Sequence, residues 1–313
     1  MIRTLDPGFL TTVQDLPRLG GARYGLSEAG ASIPLSLWIA NRLAQNSKVL
    51  PSLEITLKPP RLLFQQGAVL GFGGADFGWR VDGRAIDPRR TVTVRAGATL
   101  SGDYCRTGLR GILAFGGGLE VEPWMGSAST HVDAGLGGRV LQRNDVMMLR
   151  QPSPTEPLSP QFLRETPPPP ITANGYKLLR ILPGPHVPLF PAEALSLLAG
   201  AVYRVTEQSS RVALRVDGLA LPSPAAPIAS CGVWNGAIQV PPGGVPQVLG
   251  CEHPATGGYP ILASVIEADW ETLGQLRPRE EFRFGLVSPA TALALRSRVR
   301  EWQATAFAAA LPH

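Results

Sequence analysis

Short runs of alternating apolar and polar side chains recur along the whole chain, and few stretches show the wider spacing of an amphipathic helix. Residues 62–64, 68–71, 79–81, 91–94 and 111–115 in the first half are such runs, each closed off by Gly, Asp or Pro. Residues 178–182, 202–205, 211–216, 237–240, 261–266 and 281–286 repeat the texture in the second half. All are expected to be strands. Pro241, Pro242, Gly243 and Gly244 turn residues 237–240 back into a return strand at 245–249. Helical spacing is confined to four places. Residues 34–44 carry Leu35, Trp38, Ile39 and Leu43 on one side behind Ser32 as N-cap, and shorter helices are expected at 191–198 and 269–276. The alanine-rich tail 289–310 reads as a terminal helix.

The proline-rich stretch 151–172, with four consecutive prolines from Pro167 to Pro170, suits neither helix nor central strand and reads as a linker. It divides the chain into a first domain at 1–150, a second at 173–288 and a helical tail at 289–313. A length of 313 residues with 44% hydrophobic side chains supports two sizeable cores. Thirty-five Gly, 31 Pro and only 17% charged residues favour an all-β chain, barrel or sandwich, joined by tight turns.

The net charge of +5 is scattered, with Arg89 and Arg90 adjacent but no basic stripe, so no nucleic-acid partner is expected. Cys105, Cys231 and Cys251 have neither the number nor the spacing of a disulfide framework or a zinc site. With no apolar run long enough to span a bilayer, the expectation is a cytoplasmic protein, away from membranes and without a metal site.

Candidate chemistry gathers in a few polar clusters. Thr11, Thr12, Gln14, Asp15 and Arg18 precede Gly20 and Gly21 in a turn-like segment that is either an exposed polar turn or an anchor for an anionic or carboxamide group. Ser209, Ser210, Arg211 and Arg215 form either a phosphate- or carboxylate-binding cluster or a solvated strand edge. In residues 236–260, Glu252, His253, Thr256, Gly257, Gly258 and Tyr259 follow a predicted hairpin; missing Cβ atoms there leave amides open to a ligand, although a plain turn has the same composition. The glycines at 73–74 and 116–118 do not belong to a GxxxxGK[ST] loop, and no GxSxG elbow accompanies Ser127, Ser129, Thr130 and His131.

TTVQDLPRLG, GLSEAGASIPLSLWIANRL, LEITL, GSASTHVDAGLGGRVLQRND, LRILPGPH, GAIQVPPGGVPQ and ATGGYPILASVIEADWETLGQLRP follow one another along the chain. In these motifs and their order the chain resembles the biotin-dependent carboxyltransferase-like family, which includes the C component of 5-oxoprolinase, the KipA antagonist and the second component of allophanate-hydrolase type. The resemblance implies two tandem cyclophilin-like β-barrel domains with a few short helices and a C-terminal helix. It also implies ATP-dependent opening of 5-oxoproline to glutamate together with a KipI-like B component and the A component of 5-oxoprolinase. ATP with Mg2+ would serve the assembly, a small amide or lactam would be the substrate, and biotin would enter only for a carboxyltransferase acting on a urea-like amide. A non-catalytic regulatory partner of a KipI-like protein is the alternative.

The matching positions nominate the site. Asp15 and Glu54 are the acid/base or hydrogen-bonding candidates, and Arg18 and Arg211 the anion holders. Thr11, Gln14, Asn41, Gln239, Thr256, Gly257, Gly258 and Tyr259 complete the contacts, with the Gly257 and Gly258 amides cradling a carbonyl or phosphate oxygen. Asn41 could equally brace its helix, and Glu54 could be a structural partner in an apolar strand. Three motif centres depart from the family pattern. Ala29-Gly30-Ala31-Ser32-Ile33 stands for SGAMD, Val212 and Ala213 replace Met and Gly of S(N/D)RMG, and Glu252-His253-Pro254-Ala255 stands where DxQT precedes TGGYP. These changes imply either a different substrate or a shift toward binding.

Overall fold

Alternation in the N-terminal half sorts side chains to the two faces of an antiparallel sheet, in the spatial order Leu10–Gln14, Ser52–Thr56, Thr107–Phe115, Ala68–Asp76, Val92–Val94. Val13, Leu53, Ile55, Leu70, Phe72, Leu113 and Phe115 point to one side, where they share a core with Ile2, Leu62, Phe64 and Leu100 of a second, six-stranded antiparallel sheet. The computed structural model describes residues 1–150, 161–165, 167–224 and 228–309. The chain gathers into two compact units: Met1–Arg18, Ala29–Pro167 and Gln303–His313 form one, and Leu19–Glu28 with Pro168–Trp302 the other. Among the described residues the ladders of the first unit do not close into a ring.

The other face of the five-stranded sheet is covered by helix α1 (Pro34–Leu43). Gly71 and Gly73 make that possible. A Cβ at Gly71 would overlap the Ala40 carbonyl and the Ala44 amide, and one at Gly73 would overlap the Ser36 carbonyl. The helix backbone therefore rests directly on bare strand, and Ile33, Leu37, Ala40 and Ala44 pack on Ile112 and Ala114.

In the second unit, Tyr176–Pro183, Ile261–Val265, Ala237–Gln239, Gln247–Leu249, Ala213–Asp217, Val202–Val205 and Glu281–Leu286 pair in that order. A parallel ladder, Lys177 opposite Phe282 through Ile181 opposite Leu286, closes the ring into a seven-stranded barrel. This is the barrel expected from the resemblance, and the chain as a whole is mostly β. Ring closure removes the sheet edges. Leu179, Ile181, Tyr203, Leu214, Ile238, Val248, Phe282 and Phe284 fill the interior.

Tyr203 is fully buried there, edge-on to Phe284, and its hydroxyl donates to the Leu219 carbonyl at 3.4 Å. Burial pushes its phenol up to about 12. The unfolded chain ionises this group near pH ~10, so between that pH and about 12 the unfolded state releases a proton that the fold retains. Stability is therefore expected to fall across that interval. Tyr203→Phe should remove this group's share of the slope in urea titrations at successive pH values.

Several elements differ from their sequence expectation. Residues 11–14 are strand, not turn, and their side chains are buried. The N-cap of α1 is Ile33 rather than Ser32, because both the amide and the hydroxyl of Ser32 are drawn to Glu54. Helix α2 (Ala194–Gly200) begins after the prolines, and α3 (Trp270–Gly274) follows a 3-10 turn at Glu267–Asp269. The strand expected at 211–216 is Ala213–Asp217, leaving Arg211 outside it.

The terminal helix α4 (Pro289–Thr305) stops short of the expected 310, and Phe307–Ala309 is extended, paired with Gln161–Leu163 inside the stretch read as linker. Tertiary pairing overrides alanine's helix propensity, and the Phe307 ring sets its edge against Trp38 at 5.4 Å. Linker residues 151–160 and tail residues 310–313 lie outside the described residues. No described helix is long and apolar enough to cross a membrane.

Candidate functional site

In the first unit, the sheet face under α1 carries a row of polar side chains. Thr12 and Gln14 stand opposite Glu54 and Ser52, and Arg110 stands opposite Thr56. The Glu54 carboxylate accepts the Ser32 amide at 2.6 Å and the Ser32 hydroxyl at 3.1 Å, with Arg110 Nε 3.9 Å away. It thus ties the entrance of α1 to the sheet. Ile33, which replaces the family's carboxylate, is fully buried in the apolar contact between helix and sheet. At the other end of α1, Asn41 donates to Ser52 Oγ and the Leu37 carbonyl and accepts from the Leu50 amide and Asn46 Nδ2. Asn41 braces its helix.

Beyond the Leu10–Gln14 strand, the TTVQDLPR and GSASTH motifs hold each other. The Asp15 carboxylate accepts from the Ser127 and Ser129 hydroxyls at 2.6 and 2.8 Å and from the Ala128 amide at 3.0 Å. Arg18 is 1% exposed and lies over the Trp124 ring at 5.0 Å. Its Nε donates to the Trp124 carbonyl and its Nη2 to the Ser129 carbonyl. Burial lowers the pKa of this guanidinium, and the Asp15 charge opposes that effect. Thr11 Oγ1 donates to the Pro7 carbonyl. Gln14 donates from Nε2 to Thr12 Oγ1 and the Thr130 carbonyl, while its buried Oε1 receives no donor. A ligand N–H is a chemically suitable donor to that oxygen.

In the second unit, the outer face of the barrel carries Ala213, Ala237, Leu249 and Ile261, covered by Val233 and Cys231. Cys231–Gly232 pairs with Thr256–Gly257 to form a two-stranded ladder across this face. Both sides of the Ala237–Gln239 strand are therefore buried, not one as its alternation suggests. A β-bulge between Ile238 and Gln239 shifts the register against Ile261–Val265, and alternation with Ala237 sets Gln239 on the outer face with Ile261. Gln239 Nε2 donates to the Tyr259 carbonyl at 3.3 Å. Below the ladder, Arg211 and Glu252 form a buried ion pair, Nε to Oε1 at 2.6 Å, and the Glu252 amide donates to the Arg211 carbonyl. His253 Nδ1 lies 2.7 Å from the Pro254 carbonyl, so that nitrogen carries the proton.

The two glycines of the ladder's end differ in what their neighbours demand. A Cβ at Gly257 would stand 2.6 Å from Gln239 Nε2 and 3.3 Å from Val233. At Gly258 the nearest atoms would be the Ile228 carbonyl oxygen at 3.6 Å and Ser230 Oγ at 3.7 Å, which is ordinary contact. Gly257→Ala is therefore expected to displace Gln239 and cost about 1–3 kcal/mol. Gly258→Ala should unfold in urea within about 0.5 kcal/mol of wild type.

Thr11, Gln14, Asp15, Arg18, Asn41 and Glu54 lie in the first unit, and Arg211, Gln239, Thr256, Gly257, Gly258 and Tyr259 in the second; within the first unit Asp15 and Arg18 meet at the 124–129 loop, while Glu54 and Asn41 hold opposite ends of α1. Ser32, Arg110, Ser127, Ser129, Gln247 and Glu252 are partners that the motif match did not nominate. Gln247 was reachable from sequence, since a hairpin centred on Gly243 places residues 239 and 247 opposite each other. No group of three or more His, Cys, Asp or Glu among the described residues is placed to hold a metal ion.

Comparison with known proteins agrees with this architecture. The chain is 32% identical to the C component of 5-oxoprolinase from Escherichia coli strain K12 over 300 residues, covering 95% of this chain and 94% of that protein. It is 30% identical to the urea amidolyase of Saccharomyces cerevisiae over 89% of this chain but only 16% of that much longer protein. Among solved structures, TTHA0988 superposes with a TM-score of 0.81 at 34% identity over 91% of this chain, which spans about half (55%) of that one. The Kluyveromyces lactis urea carboxylase superposes with a TM-score of 0.85 at 28% identity over 96% of this chain and 28% of that one. The family model described as carboxyltransferase domain, subdomain A and B, matches residues 24–286, and the chain belongs to that family.

Proposed function

We propose that this chain is the C-type component of an ATP-dependent 5-oxoprolinase, working with a KipI-like B component and an A component to open a small lactam. The observation that carries this reading is reciprocal coverage. The chain and the C component of the E. coli 5-oxoprolinase account for nearly the whole of each other, whereas the chain is a fraction of the urea amidolyase.

Residue roles follow from what each side chain already holds. Asp15, Arg18 and Asn41 are engaged within the fold, and we assign them to positioning loops and helix. Glu54, which already holds Ser32 and faces Arg110, takes the same positioning role. Gln14 Oε1 and the strap from Thr256 to Tyr259 are the substrate contacts, since an amide offers an N–H to the first and a carbonyl to backbone amides. Arg18 and Arg211, the nominated anion holders, are occupied by carbonyls and by Glu252 respectively, a poor fit for ATP phosphates. We place ATP and Mg2+ on a partner protein and derive no step through them. A carboxyltransferase acting on a urea-like amide is the second reading, favoured by the superposition on urea carboxylase.

The test is co-expression with the A and B components and measurement of ATP-coupled 5-oxoproline consumption. Turnover that disappears when this chain is omitted is the expected result. Equal rates with and without the chain overturn the reading, and a stable complex without turnover points to a regulatory partner.

A further inference from the structure

Gln239 packs against the Thr256–Tyr259 strap, and its carboxamide has only one productive orientation. The Tyr259 carbonyl can only accept, so Nε2 must face it, and that places Nε2 where a Gly257 Cβ would otherwise stand. Oε1 is then turned toward the neighbouring strand. Gln239 is 3% exposed, so this oxygen needs a donor from the protein. Gln247 is its register partner across the hairpin, and Gln247 Nε2 lies 3.4 Å from Gln239 Oε1. Arg215 stands one strand further out, opposite Gln247 and exposed.

We propose that Gln247 is a positioning residue: by donating to Gln239 Oε1 it locks the Gln239 carboxamide, which holds the strap so that the backbone at Gly258 faces a small amide or lactam. The proposal rests on the strap being a substrate contact of the amide-opening reading. What position 247 must supply is a donor, not a shape. Glutamate has glutamine's shape but sets an acceptor against an acceptor, and Arg215 would draw its charge away from Gln239. Leucine supplies no donor, and lysine supplies one.

The test is the series Gln247→Glu, Gln247→Leu and Gln247→Lys, each read in two ways. In the isolated chain, amide hydrogen exchange at residues 256–259 is expected to accelerate about tenfold in the Glu and Leu variants, the equivalent of one lost buried hydrogen bond. The Lys variant should stay closer to wild type. In the reconstituted assembly the same two variants should raise KM for 5-oxoproline about tenfold, with kcat little changed and the Lys variant again intermediate. Exchange in Gln247→Glu identical to wild type, or equal acceleration in all three variants, overturns the proposal. A wild-type assembly without turnover sinks the functional reading alone, because the exchange series still decides whether a donor at 247 holds the strap.

Discussion

Gly71→Ala is expected to destabilise the protein by about 3 kcal/mol or more, at the upper end for overpacking by one methyl group. The added Cβ meets backbone, the Ala40 carbonyl and the Ala44 amide, which cannot rotate aside as a side chain would. Relief requires lifting α1 from the sheet, and that separates Leu37, Ala40 and Ala44 from Ile112 and Ala114. It also pulls Ser32 from Glu54 and Asn41 from Ser52, so the polar row loses its order along with the helix. Urea denaturation of the variant, with Gly97→Ala as a comparison, checks this. Gly97 has φ +83° and open space around it, so its cost is backbone strain of about 1 kcal/mol without a clash. Similar losses in both variants would mean that the helix accommodates the methyl group.

Glu252→Ala is expected to cost about 3–5 kcal/mol, because it removes the Glu252 carboxylate from a buried ion pair with the Arg211 guanidinium. The side chains are 6% and 1% exposed, so solvent cannot replace the lost partner. Replacing both residues by apolar ones, as in Arg211→Met with Glu252→Leu, should recover most of the loss, since the desolvation of two ions is then avoided. Equilibrium denaturation of the wild type, the two single variants and the double variant measures the coupling directly. Additive losses would show that the pair contributes little, and that the link from the Glu252 amide to the Arg211 carbonyl holds the segment instead.

Both expectations concern residues whose importance is only partly visible in the chain. Glu252 stands out as a departure from the family motif, but its partner lies 41 positions away and is reached only when strands 213–217 and 247–249 pair. Asp15 and Arg18 read as an acid/base and an anion holder, because they stand at positions that match the first family motif. The fold aims both at one loop, where serine hydroxyls and backbone carbonyls use their hydrogen-bonding capacity. Glu54 in an apolar strand shows a polar group that needs partners, and the identity of those partners, Ser32 and Arg110, depends on where α1 lands.

The strand-and-turn texture, the 34–43 helix, the hairpin around Gly243 and the family are all legible along the chain. They rest on side-chain alternation, on proline and glycine geometry and on motif order, each of them local. Folding adds what no local pattern carries: the second unit closes through a parallel ladder between strands a hundred residues apart, and the tail after Thr305 becomes a strand. Likewise, a Cβ at Gly257 would press on Gln239 Nε2 while one at Gly258 would make ordinary contacts. The physical reason is the same in each case: a hydrogen bond or a steric overlap between distant residues has no trace in the spacing of either partner, and it exists only once the backbone has brought them together.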